Sequence, residues 1–402
     1  MSKALDSLRQ LFASITGPEH AAKRESRMFN CIDGMTDGRR FATKQFTKEC
    51  EPSAGSKSYL NAPVLIICGG TAAEAEKSMR QYKEPLRAAL EQFKGTVISG
   101  GTRAGIPGLL GEIAAELKAN GRKKFKLVGY LPNAKLKHAR ADERYDKLFR
   151  TPDHDFSPAQ PLQNWIDLLA NGLKPSEVTV LGINGGPLAE FECRLALALG
   201  AKTALLRDSG RVADALLADE DLADERNLIA LPDTATLAFL VPAERSEFRQ
   251  SMGRKMHENY LQDQVRKRES KEPNLVPWGR LLPGLKESNC EQADAMRGIL
   301  NQTGFEIRKK RHARAKAVKF SDAQVEALAR LEHARWNAER LRDGWKYGPQ
   351  KDINKKISPY LVAWEDLPAR IREFDRKAVR AWPQLLAEVG LEIFRRRTGA
   401  RP

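Results

Sequence analysis

Between residues 61 and 241 the chain alternates short apolar runs with amphipathic segments of helical period. The runs are rich in β-branched residues, which favours strands, whereas the segments between them repeat apolar residues every three to four positions. The predicted strands are 64–68, 96–99, 126–130, 177–181, 201–206 and 227–230. The predicted helices are 80–93, 109–120, 161–172 and 188–199. This alternation predicts an α/β domain with a parallel sheet covered on both faces.

Three of the predicted strands end in paired glycines. The turns contain Gly69, Gly70 and Thr71 after the first strand, Gly100, Gly101, Thr102, Arg103 and Gly105 after the second, and Gly185 and Gly186 after the strand at 177–181. Glycines let backbone amides approach an oxyanion, and the following helix adds its positive dipole end. A lone glycine pair is explained as well by a tight structural turn. Three pairs at the carboxyl edge of one sheet predict a single phosphate-binding crevice.

Length and composition limit the possible protein classes. The 402 residues suffice for two or three domains, and no apolar run approaches the ~20 residues that a membrane span needs. The five cysteines are scattered and no histidine cluster accompanies them. We therefore expect no metal, no cofactor and no disulfide framework, as in a protein of the reducing cytoplasm.

The net charge of +16 is concentrated in the C-terminal part of the chain. Residues 61–242 contain 23 basic and 23 acidic residues, whereas residues 243–402 contain 35 and 22. The densest basic run, at 308–316, is explained as an exposed linker or as a phosphate-binding tract. Nucleic-acid binding, if it occurs, is therefore expected in the C-terminal half.

The C-terminal region contains an internal repeat. N-L-V-P-W at 274–278 matches Y-L-V-A-W at 360–364, and G-F-E-I at 304–307 matches G-L-E-I at 390–393 with the same spacing. Upstream, M-H-E-N-Y at 256–260 parallels E-H-A-R-W at 332–336. The first copy lacks about ten residues around the G-W-K-Y-G-P run at 344–349. The pattern predicts a duplicated, mostly helical unit with one degenerate copy.

We therefore expect four regions: an N-terminal extension at 1–60, the α/β domain at 61–241, a degenerate repeat at 250–310 and a complete repeat at 317–396. The run from Glu51 to Ser58 has the composition of a linker. The segment between Tyr130 and Asp155 is expected to be a long polar loop, from which Tyr145 is selected as a ligand-binding candidate.

The glycine-rich domain resembles the SLOG superfamily, and within it the prokaryotic branch similar to the cytoplasmic N-terminal region of melastatin-type channels. The resemblance is carried by I-C-G-G-T at 67–71, I-S-G-G-T-R-A-G-I-P-G at 98–108, G-G-P-L-A-E-F-E at 185–192, F-S-P-A-Q-P-L-Q-N-W at 156–165 and L-P-D-T-A-T at 231–236. It implies a Rossmann-like domain that binds a nucleotide-derived ligand, ADP-ribose-like or a cyclic nucleotide. Superfamily members commonly associate, which implies a homo-oligomer.

The same superfamily includes the LOG phosphoribohydrolases, which cleave a nucleotide N-glycosidic bond. Of the LOG signature Pro-Gly-Gly-x-Gly-Thr-x-x-Glu, the chain lacks the third glycine and the threonine, while Glu192 stands at the glutamate position. The resemblance implies that Glu192 is catalytic if the protein is a hydrolase. Because the signature is incomplete, binding is favoured over hydrolysis. Glu190 is a ligand-binding candidate, or alternatively an acidic residue that suits a helix N-terminus.

The second repeat resembles the ryanodine-receptor (RyR) repeat domain through E-H-A-R-W at 332–336, G-W-K-Y-G at 344–348 and S-P-Y-L-V-A-W-E-D-L-P at 358–368. Such domains accompany nucleotide-signal sensing in prokaryotes, which implies a role in signalling or antiviral defence. Its aromatic residues are candidates for a second site that stacks a base, unless they are core residues. These candidates are His333, Trp336, Trp345, Tyr347 and Trp364.

Three functions follow from the sequence. The favoured one is a cytoplasmic sensor or effector that binds a nucleotide-derived small molecule and couples it to the RyR-type module. The alternatives are a LOG-like N-glycosidase and a basic nucleic-acid-binding protein.

Overall fold

The apolar runs of the N-terminal region form the centre of a parallel sheet. The computed structural model describes residues 51–70, 79–133, 139–266, 275–310 and 317–395, and the chain divides into two units between Thr234 and Ala235. The sheet strands are β1 Val64–Gly69, β2 Thr96–Ser99, β3 Lys126–Pro132, β4 Lys147–Thr151, β5 Val178–Ile183, β6 Lys202–Leu206 and β7 Leu228–Leu231. Their order is β4-β3-β2-β1-β5-β6-β7, and every neighbouring pair is parallel. The predicted Rossmann-like fold is confirmed.

Helices cover both faces of this sheet. They are α1 Lys83–Gln92, α2 Gly105–Ala119, α3 Ala159–Ala170, α4 Pro187–Ala198 and α5 Arg211–Leu217. Alternate residues of β1 belong to opposite faces. Ile66 and Cys68 join a core with Trp165 of α3 and Phe191 of α4, while Gly69 meets Ile106 of α2. Burial on both sides explains why β1 is apolar throughout.

The seven-stranded sheet contains one strand, β4, that the sequence did not predict. β4 lies inside the segment expected to be a polar loop, and it pairs with β3 so that Phe149 is opposite Tyr130. The two rings lie 5.3 Å apart and pack into the same core. This short edge strand, K-L-F-R-T, was concealed by the charged residues around it.

The segment with linker composition is fastened to α3. The Ser53 amide donates to Oδ1 of Asp167 at 2.7 Å, and Asn171 Nδ2 donates to Oγ of the buried Ser56 at 2.9 Å. Asp167 also accepts from the Tyr130 hydroxyl at 2.8 Å, and burial raises the pKa of this carboxyl. Residues 51–60 are therefore part of the N-terminal unit rather than a loose connection.

The C-terminal unit is mainly helical, as predicted. After the short helix α6 Thr234–Leu237, its elements are α7 Arg249–Arg266, α8 Pro283–Gln302, β8 Phe305–Lys309, α9 Asp322–Arg342, β9 Lys346–Tyr347, β10 Ile357–Ser358, α10 Ala369–Glu388 and β11 Leu391–Arg395. None of the helices in the described ranges is long and apolar enough to cross a membrane.

The two repeats place matching residues in matching contacts. Nε2 of His257 lies 2.7 Å from the Val276 carbonyl oxygen, and Nε2 of His333 lies 3.0 Å from that of Val362. Each histidine ring also faces the tryptophan of its own copy, at 5.9 Å for Trp278 and 5.8 Å for Trp364. The repeated sequence therefore corresponds to a repeated geometry.

The copies are joined through their equivalent strands. β8 pairs with β11 in antiparallel register, and Ile307 stands opposite Ile393, its own repeat equivalent. In an antiparallel pair, a local two-fold axis passes between two residues that stand opposite each other. The equivalent strands of the two copies are therefore related by a local two-fold axis between Ile307 and Ile393.

Candidate functional site

Four turns lie together at the carboxyl edge of the sheet, near the point where the strand order reverses. β1 has β2 on one side and β5 on the other, so the connections after β1 and after β5 run in opposite directions. In open parallel sheets this is the point of the carboxyl edge at which ligands bind. The turns at 69–70, 100–103, 184–186 and 209–211 follow β1, β2, β5 and β6, and we call this edge the glycine edge. It unites the three predicted glycine turns and adds a fourth.

Asn184 ties three of these turns together. Its Nδ2 donates to the Ser209 carbonyl oxygen at 2.8 Å, and its own amide donates to Ser209 Oγ at 2.9 Å. A Cβ on Gly70 would lie 2.8 Å from Asn184 Oδ1, and one on Gly210 would lie 2.9 Å from Asn184 Nδ2. Both glycines are therefore required because the asparagine side chain lies against them.

The turn after β5 leads to an uncapped helix. Gly186 is the N-cap of α4, Pro187 is the first helical residue, and no side chain caps the helix. A Cβ on Gly186 would lie 3.6 Å from Nη2 of Arg211, which brings this exposed guanidinium over the turn. The positive dipole end and the guanidinium both favour an anion here.

The turn after β2 is more enclosed. Gly101 has φ of +73°, and a Cβ there would lie 2.9 Å from Leu148 and 3.3 Å from Cα of Gly129. At the start of α2, the Ile106 amide donates to the Gly70 carbonyl oxygen at 3.2 Å, and Pro107 has no amide hydrogen. Much of the helix end is therefore engaged within the protein.

The segment at 139–146 holds this turn in place. The Arg103 amide donates to the Arg140 carbonyl oxygen at 3.0 Å, and Thr102 forms a β-bridge with Ala141. Asp142 is fully buried, and Arg144 donates to its two carboxylate oxygens at 2.8 and 2.7 Å.

Tyr145 belongs to the same support. Its side chain is buried, its hydroxyl donates to the Pro107 carbonyl oxygen at 2.9 Å, and burial raises its pKa. Tyr145 therefore lies beneath the turn, held by a hydrogen bond, whereas the sequence analysis expected it on an open loop.

Thr102 and Arg103 occupy different environments in the turn. Thr102 is buried, and its hydroxyl oxygen has no hydrogen-bond partner within the described ranges. Arg103 is half exposed, and its guanidinium lies 3.5 Å from the exposed carboxylate of Glu143. Gly100 approaches Pro107, and Gly105 begins α2 with φ of +58°. Thr71 lies outside the described residues.

Glu192 projects from the second turn of α4 beside β1. Its Oε1 accepts a hydrogen bond from Asn164 Nδ2 at 2.9 Å, and burial raises its pKa to about 7. Cys68 and Cys193 lie next to it with their sulfurs 3.6 Å apart, and this contact together with burial raises the pKa of Cys68. A carboxyl with this pKa exchanges its proton near neutral pH.

Glu190 is paired with an arginine of its own helix. Arg194 donates to Glu190 Oε1 at 3.0 Å and to Asp219 Oδ2 at 2.7 Å. This pairing along α4 fits the alternative of a structural carboxylate near a helix N-terminus.

The residues that the sequence analysis missed are Asn184, Ser209, Gly210 and Arg211. The D-S-G-R run after β6 was the available signal for the last three.

The aromatic candidates of the second repeat differ in their exposure. His333 and Trp364 are buried against each other, and Trp364 Nε1 donates to Glu326 Oε1 at 2.9 Å. Trp336 is partly buried, and Trp345 lies under Arg340 at 5.1 Å. Tyr347 is 55% exposed. Burial of His333 and Trp364 fits the alternative that these aromatic residues are core residues.

Within the described part of the chain, no group of three or more His, Cys, Asp or Glu side chains could hold a metal ion. The described cysteines Cys68, Cys193 and Cys290 are free and buried. Metal chemistry therefore has no candidate ligand cluster in these ranges.

Comparison with protein families agrees with both resemblances. Residues 62–247 match the family described as SLOG in TRPM, prokaryote, and residues 318–395 match the RyR domain. The chain contains a SLOG domain and an RyR domain. The glycine edge lies within the SLOG domain, and α9 to β11 lie within the RyR domain.

Solved structures similar to the chain cover its N-terminal part at low identity. A structural-genomics target named TM1055 is 18% identical, covering 41% of this chain and 88% of its own, with a TM-score of 0.30. The molybdenum cofactor carrier protein of Chlamydomonas reinhardtii is 16% identical, covering 43% and 92%, with a TM-score of 0.31. The molybdenum cofactor binding protein of Rippkaea orientalis is 18% identical, covering 43% and 91%, with a TM-score of 0.30. At this similarity no ligand is transferred to this chain.

Proposed function

We propose that the SLOG domain binds a nucleotide-derived anion at the glycine edge and that the protein is a sensor or effector. The observation that carries the proposal is the uncapped N-terminus of α4 with Arg211 over Gly186. A phosphate is the anion best suited to helix amides and an arginine together. ADP-ribose-like molecules and cyclic nucleotides are the candidate ligands.

The geometry of the turns indicates which groups would bind the phosphate and which would form the wall of the crevice. The α4 end and Arg211 receive the phosphate, because their groups face an open position. The turn at 100–103 forms a wall of the crevice, where Thr102 offers a hydroxyl oxygen that no described residue engages. The RyR-type module then reads the ligand-bound state, in a cytoplasmic signalling or defence context.

Substitution of Gly186 tests this proposal. Gly186 has φ of −127°, which other residues adopt, so Gly186→Asp should fold. Its carboxylate would cap α4 and occupy the place of the phosphate, as aspartate does at N-caps. Thermal unfolding with ADP-ribose, AMP and cyclic nucleotides should show ligand stabilisation in the wild type and none in Gly186→Asp.

Gly186→Ala is the matched control, since its methyl group would make only ordinary contact with Arg211. It should respond to ligand like the wild type. Equal ligand stabilisation of the wild type and Gly186→Asp would contradict the proposed phosphate position. A panel that stabilises no form of the protein would contradict nucleotide binding as a whole.

The pKa of Glu192 supports a second function, hydrolysis of a nucleotide N-glycosidic bond. A carboxyl that titrates at about 7 can donate a proton to a departing base or stabilise the sugar cation that forms. Chromatography of ligands after incubation distinguishes the two functions. Release of a free base by the wild type and not by Glu192→Gln would establish hydrolysis, whereas intact recovery would favour sensing.

Nucleic-acid binding and self-association remain predictions from charge and from the family. Several arginines of the C-terminal unit are committed to carboxylates, including Arg249 to Asp294, Arg342 to Glu291 and Arg376 to Glu326. The guanidinium groups of these arginines are engaged within the C-terminal unit, so polyanion binding is expected to use other basic residues.

A further inference from the structure

The edge of the parallel sheet opposite the glycine edge is formed by the segments that lead into the strands, and we call it the amino edge. These segments are 57–63, 93–95, 120–126, 146–147, 171–177, 199–202 and 218–227. The strands between the two edges are four to seven residues long, which separates the edges by roughly 15–20 Å at ~3.3 Å per residue. The amino edge is therefore distinct from the proposed phosphate site.

The charges of the amino edge are divided between its two halves. The segments that lead into β2, β3 and β4 hold six basic residues and one acidic residue, whereas those that lead into β5, β6 and β7 hold six acidic and three basic residues. Because β2, β3 and β4 lie on one side of β1 and the other three strands on the other side, one half is positive and the other negative. The balanced count of 23 basic and 23 acidic residues in 61–242 conceals this separation.

The positive half places two lysines at one aromatic ring. The Nζ atoms of Lys126 and Lys147 lie 5.3 and 5.7 Å from the centroid of the Tyr59 ring. Lys94 and Lys126 are exposed. Ammonium groups gathered at one place repel each other, and carboxylates of a partner would relieve that repulsion.

Two other cations of the positive half are paired within the domain. Arg122 Nη1 lies 2.8 Å from Glu91 Oε1, and Lys123 pairs with Asp146. A partner would therefore chiefly meet the lysines at the strand starts, which are Lys94, Lys126 and Lys147.

The negative half is dominated by one acidic segment. Residues 218–227, A-D-E-D-L-A-D-E-R-N, follow α5 and lead into the edge strand β7. Glu220, Asp221 and Asp224 are exposed, whereas Asp219 accepts from Arg194 at 2.7 Å. Three exposed carboxylates thus lie at the opposite end of the amino edge from the lysines.

The centre of the amino edge is uncharged. β1 is the fourth of the seven strands, and the exposed residues before it are Asn61, Ala62 and Pro63. Gly95 lies beside them, because a Cβ there would clash with the Pro63 carbonyl oxygen. Small neutral residues let another surface approach closely at this point.

This arrangement of charge is complementary to itself. A second copy can be rotated by 180° about an axis that passes through the neutral centre perpendicular to the sheet. The positive half of each copy then faces the negative half of the other, which is the self-complementarity that an isologous interface requires. A continuous polyanion along the same edge would be attracted by one half and repelled by the other.

We propose that the amino edge is the interface of a two-fold dimer with a second copy of this chain. The lysines of each copy face the acidic segment 219–225 of the other, and residues 61–63 lie at the axis. Exposed ion pairs contribute little individually, so the dimer is weak and sensitive to salt, and the charge pattern supplies its specificity. The dimer leaves both glycine edges open and does not depend on their ligand.

Sedimentation equilibrium on the full chain tests the dimer. At about 0.1 M salt the screening length is about 10 Å, so the local charges of the edge act while the general positive charge of the chain is largely screened. The wild type should show a reversible monomer–dimer equilibrium there, and the dissociation constant should rise about ten-fold at about 0.5 M salt. A wild type that stays monomeric at about 100 µM, a concentration suited to a weak interface, would overturn the proposal.

Two pairs of charge reversals then locate the contact. Lys94→Glu with Lys126→Glu alters the positive half, and Glu220→Lys with Asp224→Lys alters the negative half. Each double variant alone should associate about ten-fold more weakly or less, because the reversed groups face like charges in both contacts. An equal mixture of the two should restore the dimer, since both contacts then join opposite charges. Restoration would also show that both variants are folded.

Lys355→Glu with Arg370→Glu is the matched control. It reverses two exposed cations outside the N-terminal unit and changes the net charge as much as the lysine pair does, so it should associate like the wild type. A mixture that stays monomeric, or an assembly of more than two chains, would overturn the two-fold interface. So would a monomeric wild type that binds a single-stranded oligonucleotide through Lys94 and Lys126, which would assign the positive half to nucleic acid.

Discussion

The segments from β2 to α2 and from β5 to α4 share one local design. Each is a buried strand, a glycine turn and a helix. After β2 the turn is packed against Leu148 and Gly129. After β5 the turn faces the exposed Arg211, while neither α2 nor α4 has a side-chain cap.

The helices that follow these two turns, α2 and α4, also differ in the residue at their sixth position. The sixth residue of α2 is Leu110, which is completely buried, whereas the sixth residue of α4 is Glu192, whose pKa is raised to about 7. At the β2 turn Gly101 serves close packing, whereas at the β5 turn a Cβ on Gly186 would meet only the Arg211 side chain. The difference arises from segments far away in sequence, at 139–148 and 209–211.

The largest expected effect is loss of the support beneath the β2 turn. Asp142→Ala removes the buried carboxylate that Arg144 binds and should lower the free energy of unfolding by about 2–3 kcal/mol, since hydrogen bonds to a charged group are lost while Arg144 stays partly solvated. Urea denaturation measures this change. Glu143→Ala is the control, because this neighbouring acid is 88% exposed, and it should cost less than ~1 kcal/mol. Equal losses of stability in Asp142→Ala and Glu143→Ala would mean that Asp142 does not support the β2 turn.

A direct comparison of the glycines should give the next largest effect. Gly101→Ala places a methyl group at φ of +73° and 2.9 Å from Leu148, so it should destabilise the protein by about 2 kcal/mol. Gly186→Ala should be close to neutral in the same urea assay, since φ is −127° there. A larger loss from Gly186→Ala would reverse our assignment of the packed and open turns.

The pH dependence of stability should report the burial of Glu192. Burial raises the folded-state pKa from 4.5 to about 7, so the folded protein holds the proton more tightly than the unfolded chain. This contribution is fully present below pH ~4.5 and is lost as the pH rises through ~7. Glu192→Gln should therefore gain about 1–2 kcal/mol relative to the wild type at pH 8 compared with pH 5.

Chemical denaturation at several pH values would measure this gain. Glu220→Gln, which changes an exposed carboxylate of the same domain, should show no comparable gain. Parallel curves for the wild type and Glu192→Gln would mean that Glu192 is solvated, and would weaken the case for hydrolysis.

The smallest expected effect is the loss of ligand affinity when Arg211 or Arg103 at the glycine edge is replaced. Arg211→Ala should weaken a ligand identified by thermal unfolding about ten-fold, since a charge-assisted hydrogen bond contributes about 1.5 kcal/mol. Arg103→Ala should weaken it less than about three-fold, because Arg103 is half exposed and faces Glu143. Titration calorimetry would measure both, with the exposed Arg226→Ala as a control for net charge. A greater loss from Arg103→Ala would move the phosphate to the β2 turn.

Much of the fold was predictable from local pattern. The six apolar runs are strands of one sheet, and the predicted helices match α1 to α4 because both kinds of element depend on residues close in sequence. The edge strand β4 was missed because a short strand with one buried face has little apolar signal. The linker-like composition at 51–58 gave no sign of the hydrogen bond from Ser53 to Asp167, which joins residues 114 positions apart.

By itself the sequence determined the α/β alternation, the glycine turns, the duplication and the resemblance to SLOG and RyR domains. All of these are recorded by neighbouring residues or by repeated motifs. The tertiary structure decided which glycine turn is open, that Tyr145 supports a turn, that His333 and Trp364 are buried, and that the charges of the amino edge lie in two separate halves. These features depend on which distant side chains fill the space beside a residue, and a linear pattern does not contain that information.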